Sequence, residues 1–194
     1  MNIVLDLDQT VISAEAYEDY NTKHNKRKAK KFSYEDMDGY YVVFERPGLQ
    51  PFLDFLFTNF NVSVWTAASK DYALFIIEKI LLKKPGRKID WIFFSYHCEI
   101  SKKIKKRTKH LHMFWEKYEM EGYTVDNTII LDDYDEVYNT QRNNCIFMKP
   151  FEFTEDDSEN DNFLQLIKPH LENILSQGNT EGVETVNNEL EDYR

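Results

Sequence analysis

Residues 3–10, "IVLDLDQT", set two aspartates two positions apart at the end of a short apolar run. Ile3, Val4 and Leu5 read as a buried strand, so the D-x-D pair falls where a sheet hands over to a loop. While strand geometry lasts, alternate residues point the same way, and Asp6 and Asp8 can address one ligand. Carboxylates this close repel each other unless a cation, a shared proton or a phosphoryl group uses them. The pair also has ordinary explanations, an N-cap or a calcium loop. An EF-hand loop opening at Asp6 needs Gly at 11 and Glu at 17; the chain has Val11 and Tyr17, which removes that explanation.

Two further apolar runs end in the same manner. Residues 62–65 lead into Thr66, and residues 129–131 lead into Asp132 and Asp133. If the three strands are parallel neighbours, these groups converge on one crevice beyond the carboxyl ends of the sheet. Asp6, Asp132 and Asp133 offer hard oxygen ligands of the kind Mg²⁺ takes, with positions left for water and phosphate oxygens. A cation would make the crowded carboxylates tolerable. Thr66 is equally an ordinary strand residue near a helix start, and Asp132 and Asp133 can also cap the helix that follows.

Strands and helices alternate around these points. Apolar residues at 49, 52, 53, 56, 57 and 60 form a helical stripe. "SKDYALFIIEKILLKK" (69–84) opens on Ser69 as N-cap, carries Asp71 in its first turn and stops before Pro85-Gly86. "HLHMFWEKYEM" (110–120) and "NFLQLIKPHLENILS" (162–176) predict further helices, the second kinked or restarted at Pro169. "FSYEDMDGYYVVFE" (32–45) carries a hairpin signal at Asp38-Gly39. "IDWIFFSYHCEI" (89–100) reads as paired strands in an insertion. This alternation predicts an α/β fold, a doubly wound, mostly parallel sheet with helices on both faces.

The totals are consistent with one domain. The chain has 194 residues, 42% of them hydrophobic and 15% aromatic, which suits a packed core. Its formal charge of -10 weighs against general nucleic-acid binding without excluding a local basic site. Two cysteines, Cys98 and Cys145, without a C-x-x-C suggest a reducing compartment. No run reaches membrane-spanning length and "MNIVLDLD" lacks the pattern of a secretion signal, so a cytoplasmic or nuclear protein without a membrane partner is expected. Residues 178–194 are polar and acidic, and a disordered tail behind a domain of residues 1–177 is expected. His110 and His112, two apart on a helix, do not share a face, which disfavours a zinc pair. His97 and Cys98 read as packing residues. The basic runs 23–31 and 102–107 read as solvated faces, or as cleft rims that favour an acidic or phosphorylated partner.

"DLDQT" resembles the D-x-D-x-T motif of the haloacid dehalogenase (HAD) superfamily. "ERPGL" followed by "VWTAAS", "KHLHMFWEKY" and "IILDD" is similar, in order and spacing, to the RNA polymerase II C-terminal-domain phosphatases and their NLI-interacting-factor-like relatives. The resemblance runs from about residue 3 to 175, nearly the whole expected domain. It implies a HAD-like fold with small β insertions and no large cap domain. It implies a Mg²⁺-dependent phosphatase of phosphoserine or phosphothreonine in proteins, acting through an aspartyl-phosphate. Asp6 would be the nucleophile and Asp8 the acid and base, while Thr10, Thr66 and Lys109 would hold the phosphoryl group. Asp6, the main-chain carbonyl of Asp8, and Asp133 with help from Asp132 would hold Mg²⁺. Gln9 stands where the family often has Glu. Two alternatives are a nucleic-acid end phosphatase using the basic runs, and a non-catalytic binding component of the same fold; the intact aspartates and lysine weigh against the latter.

Overall fold

The computed structural model describes residues 1–193. The chain opens with β1 (Asn2–Leu5), then makes a small layer of β2 (Ile12–Ala16), α1 (Tyr17–Tyr20), α2 (Lys23–Ala29), β3 (Tyr34–Met37) and β4 (Tyr41–Glu45). It continues through α3 (Leu49–Asn59), β5 (Asn61–Trp65), α4 (Lys70–Ile76), β6 (Ile89–Phe93) and α5 (Ser95–Lys105). The last part is β7 (Thr128–Asp132), α6 (Asp135–Thr140), β8 (Cys145–Phe147), α7 (Phe163–Gln177) and α8 (Val183–Glu189).

The main sheet has five parallel strands in the order β6-β5-β1-β7-β8. β1 lies at the centre, with Leu5 beside Val64 of β5 and Leu131 of β7. The chain therefore winds outward on one side of β1, then returns and winds outward on the other. The carboxyl ends of β1 and β7 border this switch point, where such sheets bind ligands. Every residue of β1 and β7 is buried, as expected for parallel strands covered on both faces. Ile3, Leu5, Ile129 and Leu131 pack with α3, α7 and α8, whereas Val4 and Ile130 pack with Trp65, Phe93, Phe114 and Val137 on the opposite face. Each fully buried aliphatic side chain contributes about 1.5–3 kcal/mol of transfer free energy, which fixes the strand ends that carry the polar groups.

β2, β4 and β3 form a separate antiparallel sheet. Asp38 and Gly39 turn the β3–β4 hairpin with φ of 50° and 75°, the left-handed pair such a tight turn demands. Val42 and Phe44 point to one side, where Phe44 stacks on Phe153 at 3.7 Å and α2 contributes Ala29. Tyr41 points to the other and meets the Tyr72 ring edge-on at 5.9 Å.

Several expectations are corrected. Residues 89–100 are not paired strands in an insertion: β6 is a parallel edge strand of the main sheet, and the aromatic run continues into α5. Helical structure within 110–120 shrinks to a π-helical turn, Met113–Lys117, preceded by a non-helical turn around Lys109. α7 runs unbroken through Pro169, which is exposed; Phe163, Leu164, Ile167, Leu171 and Ile174 anchor it on both sides of the missing bond. The tail is not disordered within residues 183–189. α8 buries Val183 and Val186, Leu190 follows them into the core, and Asn187 donates to the Cys145 carbonyl at 2.8 Å. Arg194, the end of the expected tail, lies outside the described residues. Among the described residues, no helix is long and apolar enough to cross a membrane.

Candidate active site

Every expected site residue converges on the switch point. The crevice there holds about 460 Å³ and is lined by Asp6, Asp8, Thr66, Lys109 and Asp133, with Gln9, Lys102 and Tyr134 at its margin. Asp6 leaves β1 with its N–H still donating to Leu131 O at 3.0 Å, so the end of β7 positions it directly. The turn that follows is closed by its own backbone: the N–H groups of Thr10, Val11 and Ile12 all point at Leu7 O. Gln9 adopts φ 59° within that turn, its carbonyl accepting from Phe151 N–H at 2.7 Å and its amide donating to Glu152.

Arg46, from "ERPGL", clamps this turn from below. It is 1% exposed and donates to Thr10 O at 2.9 Å and Lys149 O at 2.8 Å, while two of its nitrogens bind Asp161 at 2.8 Å each. A buried guanidinium is tolerable because the carboxylate and carbonyls satisfy its fork.

Lys109 is the electrostatic centre. Its Nζ lies 2.7 Å from Asp6 Oδ1 and 2.8 Å from Asp132 Oδ2, with 3% of the residue exposed. The residue sits at φ 49°, an uncommon conformation for a lysine, held by Gln141 Nε2 donating to its carbonyl at 2.9 Å. Burial alone would lower its pKa, but Asp132 and Asp6 more than offset that and keep the ammonium firmly protonated. Asp132 has its second oxygen engaged too, accepting from Tyr134 N–H at 2.9 Å. Thr10 Oγ1 donates to Asp133 Oδ1 at 3.1 Å.

One cation does not neutralise three carboxylates. Burial pushes Asp6 up to about 6 and Asp132 up to about 7, against the pull of Lys109. Burial also raises Asp133, with the charge of Asp132 adding to it. Asp8 is raised by burial and drawn back by a 2.5 Å hydrogen bond from the Tyr72 hydroxyl. Thr66 is buried, and its Oγ1 accepts from Ala68 N–H at 3.0 Å. Asp6, Asp132 and Asp133 bring ligand oxygens within 4.8 Å of one another, the one such group of three among the described residues. His110 and His112 do approach, at 4.6 Å between ring centroids. His112 Nδ1 is nevertheless taken by Glu116 at 2.6 Å.

The sequence reading missed Tyr72 and Arg46, whereas Lys102 lines the crevice as the cleft-rim reading of run 102–107 expects. Tyr72 was the more accessible of the two, since Ser69 caps α4 and puts residue 72 one turn in, facing back toward the strand ends.

A parallel sheet with carboxylates and a buried lysine at its central switch point has the architecture of the HAD-like proteins. More narrowly, the chain belongs to the NLI interacting factor-like phosphatases, whose family model matches residues 1–183. It is thus an enzyme of the phosphatase class. It is 47% identical over 180 residues to the CTD phosphatase-like protein 355R of invertebrate iridescent virus 6, covering 90% of this chain and 99% of that one. The protein of the same description from invertebrate iridescent virus 3 is 40% identical over 177 residues, 88% of this chain and 94% of its relative. In fold it resembles the fission yeast RNA polymerase II CTD phosphatase Fcp1 bound to beryllium fluoride, with a TM-score of 0.54 and 18% identity. The match covers 98% of this chain but 54% of the yeast chain, so it spans about half of that protein's length.

Proposed function

We propose that this protein is a Mg²⁺-dependent phosphatase of phosphoserine or phosphothreonine in proteins, acting on a substrate like the C-terminal domain of RNA polymerase II. The observation that carries the proposal is the position of Lys109 Nζ between Asp6 and Asp132, beside Asp8 in an open crevice. The relatives' description as CTD phosphatase-like supports the substrate class.

An oxygen of Asp6 attacks phosphorus while the bond to the serine or threonine oxygen breaks, and Asp8 gives its proton to that leaving oxygen. Asp8 then takes a proton from water, whose oxygen attacks the aspartyl-phosphate and releases phosphate and the free Asp6 carboxylate. Lys109 meets the charge that accumulates on the phosphoryl oxygens, and its buried ion pairs hold it ready without reorganisation. Thr66 supplies a hydroxyl group at the crevice wall, and Thr10 behind it holds Asp133 in place.

The carboxylate trio suits a hard divalent cation. Asp6, the Asp8 carbonyl and Asp133 would hold it; Asp132, with both oxygens engaged, supports from behind Lys109. When bound, Mg²⁺ supplies positive charge that offsets the crowded carboxylates and the phosphoryl group. The test is turnover of a phosphoserine peptide beside a 3′-phosphorylated oligonucleotide, with and without chelator. Metal-dependent release from the peptide alone is expected; preference for the oligonucleotide would replace this proposal with an end-phosphatase.

A further inference from the structure

α2 and its C-cap Lys30 present Lys23, Lys26, Arg27 and Lys30 at positions i, i+3, i+4 and i+7, one stripe along the helix, and all four are exposed. Among the described residues none of the four has a carboxylate partner. Their neighbours differ: Lys31 pairs with Glu159, Lys28 donates to Glu155 O and lies 5.6 Å from the Phe153 ring centre, and Ala29 is buried. The second basic run is also partly neutralised, Lys102 by Glu99 and Lys105 by Glu116. Four uncompensated cations therefore stand together on a chain of formal charge -10, along a shallow groove of about 470 Å³. Like charges at helical spacing destabilise a helix, and seven residues are too few to be helical unaided. Packing on Val42, Phe44 and Phe153 holds α2 in place, and a bound anion would relieve the repulsion.

The stripe stands across the small sheet from the crevice. Ile12 bridges Asp8, and β2 then carries the chain about 13 Å to Ala16. α2 packs on the Val42 and Phe44 side, whereas Tyr41 on the opposite side meets Tyr72, the partner of Asp8. A peptide of about eight extended residues, at about 3.3 Å each, spans one sheet layer and its edge. The acidic groups of Asp156, Asp157 and Glu159 share a groove with Arg27, Lys28 and Lys31 on one side of the stripe. A long polyphosphate would run onto them; a short peptide segment does not.

We infer that the exposed face of α2 docks a second phosphate or acidic cluster on the same phosphopeptide, about eight residues from the phosphate in the crevice. This rests on the assignment of the protein as a phosphoprotein phosphatase.

The experiment replaces Lys23, Lys26, Arg27 and Lys30 together by Gln, which preserves helix propensity. For a peptide with two phosphoserines about eight residues apart, KM should rise about five- to tenfold with kcat unchanged. KM for the singly phosphorylated peptide and turnover of p-nitrophenyl phosphate should not move. The difference should fade near about 0.5 M salt, where screening shortens to a few ångströms. An equal KM change for both peptides, or none, overturns the inference. So does a greater loss of single-stranded oligonucleotide binding than of peptide binding. If the parent enzyme hydrolyses neither peptide, the functional proposal fails separately. Anisotropy of the doubly phosphorylated peptide on Asp6→Asn, with and without the four substitutions, still decides the docking surface: weakening by about five- to tenfold supports it and equal binding overturns it.

Discussion

The Tyr72 hydroxyl donates to Asp8 Oδ1 at 2.5 Å, linking the first turn of α4 to the second aspartate of the D-x-D pair. The bond occupies one oxygen of Asp8, a residue that lines the crevice, and in the proposed mechanism leaves the other to carry the transferable proton. Tyr72→Phe keeps the ring against Tyr41 and removes the donor. It should lower kcat on a phosphoserine peptide by about tenfold or more, because an alkoxide leaving group needs the proton. p-Nitrophenyl phosphate, with a good leaving group, should be nearly unaffected. Equal losses on both substrates would make Tyr72 a structural residue only.

Lys109 and its basic neighbours should separate kinetically. Lys109→Met should lower kcat by about 10²-fold or more, the cost of losing a positioned charge in a water-poor site. Lys102 borders the crevice but is exposed and paired with Glu99, so Lys102→Gln should raise KM by about two- to fivefold and leave kcat intact. Steady-state kinetics of the two variants on one phosphopeptide checks both.

The strand ends were legible from the sequence because central parallel strands are buried on both faces and read as unbroken apolar runs, as "IVL" and "TIIL" do. That placed Asp6, Thr66, Asp132 and Asp133 in one crevice. β6 was obscured because it is an edge strand with Asp90 and Trp91 exposed, and its aromatic run continues into α5. α8 hid in polar composition, although Val183, Val186 and Leu190 keep a helical spacing sufficient to pack beside β8. The left-handed turn at Lys109 and the Tyr72–Asp8 bond depend on contacts distant in sequence, which periodicity does not encode.

Proton and metal binding should compete. Asp6 and Asp132, raised to about 6 and about 7, hold protons in the folded state at pH values where the unfolded carboxyls have lost theirs. In chelator their contribution to stability is therefore full below about pH 4 and is lost as pH rises through about 6 to 7. Mg²⁺ needs the deprotonated oxygens, so its stabilisation should grow across that same window, by about 2–6 °C in melting temperature. Melting curves with chelator and with Mg²⁺ from pH 5 to 8 test this; a Mg²⁺ effect independent of pH would contradict it.

Arg46 should matter to stability. Arg46→Ala strands Asp161 and uncaps the Thr10 and Lys149 carbonyls, at a cost of about 3–5 kcal/mol. Urea unfolding gives the value directly.

The central claim is that Asp6 carries the phosphoryl group. Borohydride reduces an acyl phosphate on aspartate to homoserine, so quenching the enzyme during turnover should mark one residue. Peptide mass spectrometry should find homoserine at position 6 in the wild type with Mg²⁺ and phosphopeptide. Asp6→Asn should be unmarked and inactive. Homoserine at another position, or undiminished phosphatase activity in Asp6→Asn, would contradict the account.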